Sequence, residues 1–136
     1  MDTFSIDLAR FGDNALNNAE KIVRKIALDL HGRIVARTPV DTGRAKANNQ
    51  VSLGSLGTNV VERDEPTALG TPAPITESEA KAKARAYKLG QSIFIYNNVH
   101  YITLLEFAPF GSQQAPSGMF RISFMETMRQ LGGVQG

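Results

Sequence analysis

The sequence predicts an α+β fold: a long N-terminal amphipathic helix and shorter helices packed on a small antiparallel sheet, with a long loop or arm. Three observations carry that expectation. Apolar residues recur at helical spacing over residues 14–37 and again near the C-terminus. Two short runs, 49–53 and 92–97, have the alternation or the β-branched and aromatic content of strands. Between them, residues 54–76 show no period at all.

The first helix is expected from about Asn14 to Arg37. Leu16, Ala19, Ile22, Val23, Ile26, Leu30 and Ile34 form one apolar stripe, and Lys21, Arg24, Lys25, Asp29 and Arg33 a polar face. Asp13 or Asn14 suits the N-cap, and Pro39 ends the helix because the residue before a proline is pushed out of the helical region. The following Thr38-Pro39-Val40-Asp41-Thr42-Gly43-Arg44 is a turn signature, with a short helical turn expected through Ala47. Asn49 to Leu53 then alternates polar and apolar, as a strand does.

Residues 54–76 carry Gly54, Gly57, Gly70, Pro66, Pro72 and Pro74 and the acids Glu62, Asp64 and Glu65. An aperiodic stretch this long is uncommon inside a compact domain, so an extended loop, an unresolved hairpin or an arm ordered by a neighbour are all open. Thr76 with Glu79 has the form of a capping box, opening a helix to Leu89 with Gly90 as its stop. Its apolar face is thin (Ala80, Ala84, Tyr87), and Lys81, Arg85 and Lys88 read as a solvated face. Ser92–Asn97 reads as the second strand, Tyr101–Phe107 as a short helix, and Ser117–Leu131 as a last helix through Phe120, Phe124, Met128 and Leu131. The tail 132–136 is expected to be loose.

At 136 residues the chain is expected to form a single domain over 1–136. Hydrophobic residues make up 42% and charged residues 21%, as in ordinary globular proteins, and no run approaches the ~20 apolar residues of a membrane span. Met1-Asp2-Thr3-Phe4 puts an acid where a secretion signal carries a base. With no cysteine there is no disulfide, thiolate chemistry or cysteine-held zinc. A net charge of +2, with Lys and Arg scattered and no tryptophan, falls short of a dedicated nucleic-acid binder.

Catalytic constellations are not found in the pattern. His31 and His100 lie far apart without metal-ligand spacing, and each reads as structural. Asp41 and Glu106 would have to supply any carboxylate pair, with nothing to support them. Nucleophile-elbow, phosphate-loop and dinucleotide motifs are missing. No active site, metal or cofactor is therefore expected.

Two segments remain that chemistry does not explain. One is Thr38-Pro39-Val40-Asp41-Thr42-Gly43-Arg44 after the long helix; the other is Ile95-Tyr96-Asn97-Asn98-Val99-His100-Tyr101, followed by Leu105-Glu106-Phe107 and Gln114-Ala115-Pro116. In this order and spacing the chain resembles the neck or tail-completion (head–tail connector) proteins of tailed bacteriophages, over about residues 15–131. That family shows a T-P-V-D-T-G turn after its first helix, a later asparagine-tyrosine-glutamate-phenylalanine-glycine pattern, and an Ala-Pro step into a C-terminal helix. This chain departs from it with Ile102 after Tyr101, and with Ala108-Pro109-Phe110 before Gly111.

The resemblance implies a non-enzymatic virion protein of the head–tail junction, made in the host cell cytoplasm. Its partners would be its own copies in a hexameric or dodecameric ring, head-completion or connector proteins on one side, and tail terminator or tail tube proteins on the other. DNA would pass only as cargo, and no membrane is involved. Thr38, Pro39, Asp41, Thr42, Gly43, Arg44, Asn97, Asn98, Tyr101, Glu106 and Phe107 are the structural or interface residues it singles out. We expect Asp41 to cap the short helix, Gly43 to permit close approach to the sheet, Arg44 to pair with Glu106, and Tyr101 to be a core or rim aromatic. The competing readings are a tail terminator or minor tail protein, and a small nucleic-acid-binding module.

Overall fold

A computed structural model describes residues 12–40, 43–107 and 118–135. Along the chain run α1 (Gly12–Arg37), α2 (Arg44–Ala47), β1 (Gln50–Leu53), α3 (Pro74–Arg85), β2 (Ile93–Tyr96), α4 (Ile102–Phe107) and α5 (Met119–Gln135). β1 and β2 pair antiparallel, with Gln50 opposite Tyr96 and Leu53 opposite Ile93. The fold is thus α+β, with one long N-terminal helix and a small two-stranded sheet.

α1 starts at Gly12, so Asp13 and Asn14 fall inside its first turn rather than at its cap. It stops at Arg37, where Thr38 turns both its amide and its hydroxyl back onto the Ile34 carbonyl, at 3.0 and 2.7 Å, ahead of Pro39. Ile22, expected on the apolar stripe, is 51% exposed. Stripe positions 23, 26, 30 and 34 point elsewhere on the helix.

α3 differs most from expectation. It starts at Pro74, so Thr76 lies within the first turn, and it ends at Arg85 rather than Leu89. Its orphan N-terminal amides are met from outside the helix. Buried Glu65 accepts from the Ile75 amide at 2.7 Å, the Thr76 amide at 3.1 Å and the Thr76 hydroxyl at 2.7 Å. A carboxylate at this end also complements the helix dipole. Glu79 takes no capping role and instead accepts from Arg63 at 2.8 Å. After Ala86 the chain turns through Gly90, whose φ of +99° suits glycine.

Residues 54–73 hold no helix or strand, yet they pack on their own chain. The Glu65 amide donates to the Gly43 carbonyl, the Gly70 amide to the Ala36 carbonyl, and Ala73 is fully buried. α5 continues to Gln135, through the segment expected to be a loose tail.

The core between α1, α2 and α3 is built of small residues. Ala19, Ala27, Ala45, Ala47, Ala73, Ala80 and Ala84 are all buried, which lets backbones approach closely but removes little apolar area from water per residue. α3 runs antiparallel to α1. Arg24 donates to the Tyr87 carbonyl at one end, and Glu77 lies against Gly32 at the other. On another side of α1, Glu126 of α5 accepts from Arg33 at 2.9 Å and also binds Arg37.

Candidate functional site

Two features could carry function: a polar network joining the two motif segments, and an open apolar groove. The network begins at the end of α1. Asn49 Nδ2 donates to Thr38 Oγ1 at 2.9 Å and to the Lys46 carbonyl at 3.2 Å. Asn97 Nδ2 donates to Asn49 Oδ1 at 3.0 Å and to the Ala45 carbonyl at 2.8 Å, while its own Oδ1 takes the Val99 amide. His31 on α1 reaches the Asn49 carbonyl through Nε2 at 2.8 Å. Burial holds the His31 pKa below its usual value, so the ring is neutral and Nε2 is the donor. Thr38, Asn49 and His31 are each buried, so these bonds offset the cost of taking polar groups out of water.

A second layer ties the loop to α2. Asn48 Nδ2 donates to the Arg44 and Val61 carbonyls, and its Oδ1 accepts the Val61 amide at 2.6 Å. Lys46 is fully buried and donates to the Ala68 carbonyl at 2.9 Å. Desolvation lowers its pKa, an effect opposed by nearby Glu65 and Glu77.

Several motif residues sit in other places than the sequence implied. Gly43 has φ +87°, and a Cβ there would collide with the backbone of Glu65 and Pro66, at 2.5 Å from the Glu65 oxygen. Its close approach is therefore to the loop, not to the sheet. Gly43 itself occupies the N-cap position of α2; Asp41 and Thr42 lie outside the described residues, as do the Ala108–Gly111 and Gln114–Pro116 segments.

Arg44 pairs with Glu62 at 2.7 Å, and the expected pair with Glu106 is not formed. Glu106 is buried and committed elsewhere. It accepts the Phe120 amide at 2.9 Å, the Arg121 amide at 3.1 Å and Arg121 Nε at 2.9 Å, capping α5 as Glu65 caps α3. Asn98 holds the loop by donating to the Gly57 and Asn59 carbonyls, each at 3.1 Å. Tyr101 is half-buried with its ring edge-on to His100. Phe107 is 60% exposed beneath the Arg121 guanidinium. Pro39 is half-buried and plays its expected part in ending α1.

Sequence reasoning reads His31 as structural, as it is, but misses Lys46, Asn48, Asn49 and Glu65 as organising groups. The Asn48-Asn49 pair just after a turn was the only visible signal. Nothing marks Glu65, because its partners lie ten residues ahead across an aperiodic loop.

The groove runs between α1, β2 and α5 and encloses about 730 Å³. Val23, Ile26 and Leu30 of α1, Ile93 and Ile95 of β2, and Phe120, Phe124 and Met128 of α5 line it, with Ile34 at its floor, Tyr87 at one end and Arg121 as its one charged lining residue. Most of these large side chains are only partly buried, in contrast to the alanine core. Among the described residues no cluster of three or more His, Asp or Glu is placed to hold a metal, and no helix is long and apolar enough to cross a membrane. The lining of this groove is strongly apolar, which suits a packing partner better than a polar substrate. Neither a protein-family model, nor a curated protein, nor a solved structure matches this chain.

Proposed function

We propose that this protein is a structural, non-catalytic subunit of the head–tail junction of a tailed-bacteriophage virion, a neck or tail-completion protein. Copies of it form a sixfold or twelvefold ring around the DNA channel and join the connector side to the tail side. The observation that carries the reading is the apolar groove. Bulky side chains such as Ile93, Ile95, Phe124 and Met128 stay partly in water there, while the buried core is mostly alanine. Each side chain of this size gains roughly 1.5–3 kcal/mol on full burial, so a subunit built this way stands to gain from a neighbour. The resemblance says which assembly. Its two motif segments support each other here, through the Asn97 bonds to Ala45 and Asn49 and the Asn49 bond to Thr38.

The test is electron cryo-microscopy of the particle that contains this protein, with symmetry averaging and native mass measurement. A sixfold or twelvefold ring at a head–tail junction supports the proposal. A chain that stays monomeric and never enters a particle sinks it. Salt-sensitive DNA binding by that monomer would then favour the nucleic-acid module.

A further inference from the structure

Cations scattered along the sequence are gathered by the fold along the seam between α1 and α3. On α1, Lys21 and Lys25 lie eleven and seven residues before Gly32, so each shares its face of the helix to within about 20°. Glu77 of α3 reaches that face, with Oε1 3.9 Å from where a Gly32 Cβ would stand. On α3, Lys81 and Lys88 follow Glu77 by four and eleven residues and stay within about 40° of it, and Arg85 lies about 80° round. The helices are antiparallel, so the two rows of cations run side by side. Two bonds fix their far end. Arg24 donates to the Tyr87 carbonyl at 2.6 Å, and the Leu89 amide donates to Glu20 at 3.3 Å, which brings Lys21 level with Lys88.

Acids do not balance this seam. Lys21, Lys25, Arg85 and Lys88 are exposed and make no ion pair among the described residues. Of the acids on these faces, Glu20 is held by Arg24 at 3.1 Å and Asp29 by Arg33 at 2.9 Å. Glu77 remains, and the charge of Lys81 acts on it. No acid occurs in the sequence between Glu79 and Glu106. Tyr87, the aromatic residue of this region, is buried, so it offers no ring to a ligand. The apolar groove lies nearly opposite, because its Leu30 and Ile34 are each two residues, about 200° of turn, from Gly32.

We propose that the α1–α3 seam is the surface that meets the phosphate backbone of duplex DNA. Unpaired cations on long side chains attract phosphates without reading sequence. With no exposed ring to stack on an unpaired base, the seam favours a duplex over a single strand. Contacts of this kind also let DNA slide, as a channel requires. The inference rests on the ring reading above for the channel alone, and it names the face turned inward, with the groove turned away from the DNA.

The test titrates the full chain against a fluorescent duplex of random sequence at increasing salt. Two variants each remove two exposed cations. Lys21→Gln with Lys25→Gln strips one row of the seam. Lys83→Gln with Arg129→Gln makes the same change in net charge elsewhere, beside β1 and on α5. Each phosphate contact contributes about 0.9 to the slope of log affinity against log salt. The proposal expects the seam pair to lower that slope by about 1.8 and the outer pair to leave it unchanged. Equal losses from the two pairs would mean that net charge alone attracts DNA, and would overturn it. So would a parent that binds no duplex at the lowest salt, tighter binding of single strands, or equal binding to phosphatidylserine vesicles. A chain that shows the seam effect but never enters a particle keeps the surface and removes the ring. A ring whose lumen is lined by another face keeps the ring and removes this proposal.

Discussion

The two sides of α1 solve different problems. On the side facing α2 and the loop, small and polar residues are fully buried and meet each other's hydrogen-bonding needs, from His31 through Asn49 and Thr38 to Asn97. On the side facing β2 and α5, the residues are large and apolar, and no described part of the chain covers them. Stability of the single subunit should therefore depend on the first side and association on the second. The contrast can be attacked from either end.

The largest expected effect is at Gly43. Gly43→Ala forces a side chain into a left-handed conformation and onto the Glu65–Pro66 backbone. Strain and overpacking together should cost about 3 kcal/mol or more, read as a lower urea midpoint with an unchanged slope. A loss under ~1 kcal/mol would mean that the loop yields easily, and the self-contained character of this side would be lost.

His31 gives a smaller, pH-dependent effect. Its folded pKa lies below the unfolded value of about 6.5. Below that pH the unfolded chain takes up a proton that the folded chain refuses, so stability is complete above about 6.5 and falls as the pH drops. One such group sets a limiting slope of about 1.4 kcal/mol per pH unit. Urea titrations from pH 7.5 to 5 should show stability falling toward acid in the parent, by no more than this limiting slope from His31, and falling less steeply in His31→Gln. Equal slopes would remove His31 as the cause.

The smallest effect on the subunit is expected in the groove. Phe124 is 46% exposed, so Phe124→Ser should change monomer stability by no more than about 0.5 kcal/mol while abolishing multimers in native mass spectrometry. A large stability loss would show that the groove serves the fold of the single chain instead.

Much of the fold was legible in the sequence. α1, β1 and α4 follow from periodicity, β2 from its β-branched and aromatic content, and Pro39 marks the end of α1 because proline acts locally. The failures are tertiary. Thr76 with Glu79 has the local form of a capping box, but Glu65 arrives from the loop and takes the amides first, so the helix begins two residues before Thr76. Charge and motif alone pair Arg44 with Glu106, whereas each has a nearer partner, Glu62 for one and Arg121 for the other. A stripe of apolar residues predicts burial. It does not say whether the covering surface belongs to the same chain, and so the groove could not be read from spacing.

Glu65 has a further consequence, for motion. The amide hydrogens of Ile75 and Thr76 are held by a side chain of the loop and not by their own helix. They exchange with solvent only when the loop lifts, whereas amides deeper in α3 also require the helix to open. Two adjacent amides thus act as a built-in clock for the loop, timing its departures separately from the breathing of the helix it caps.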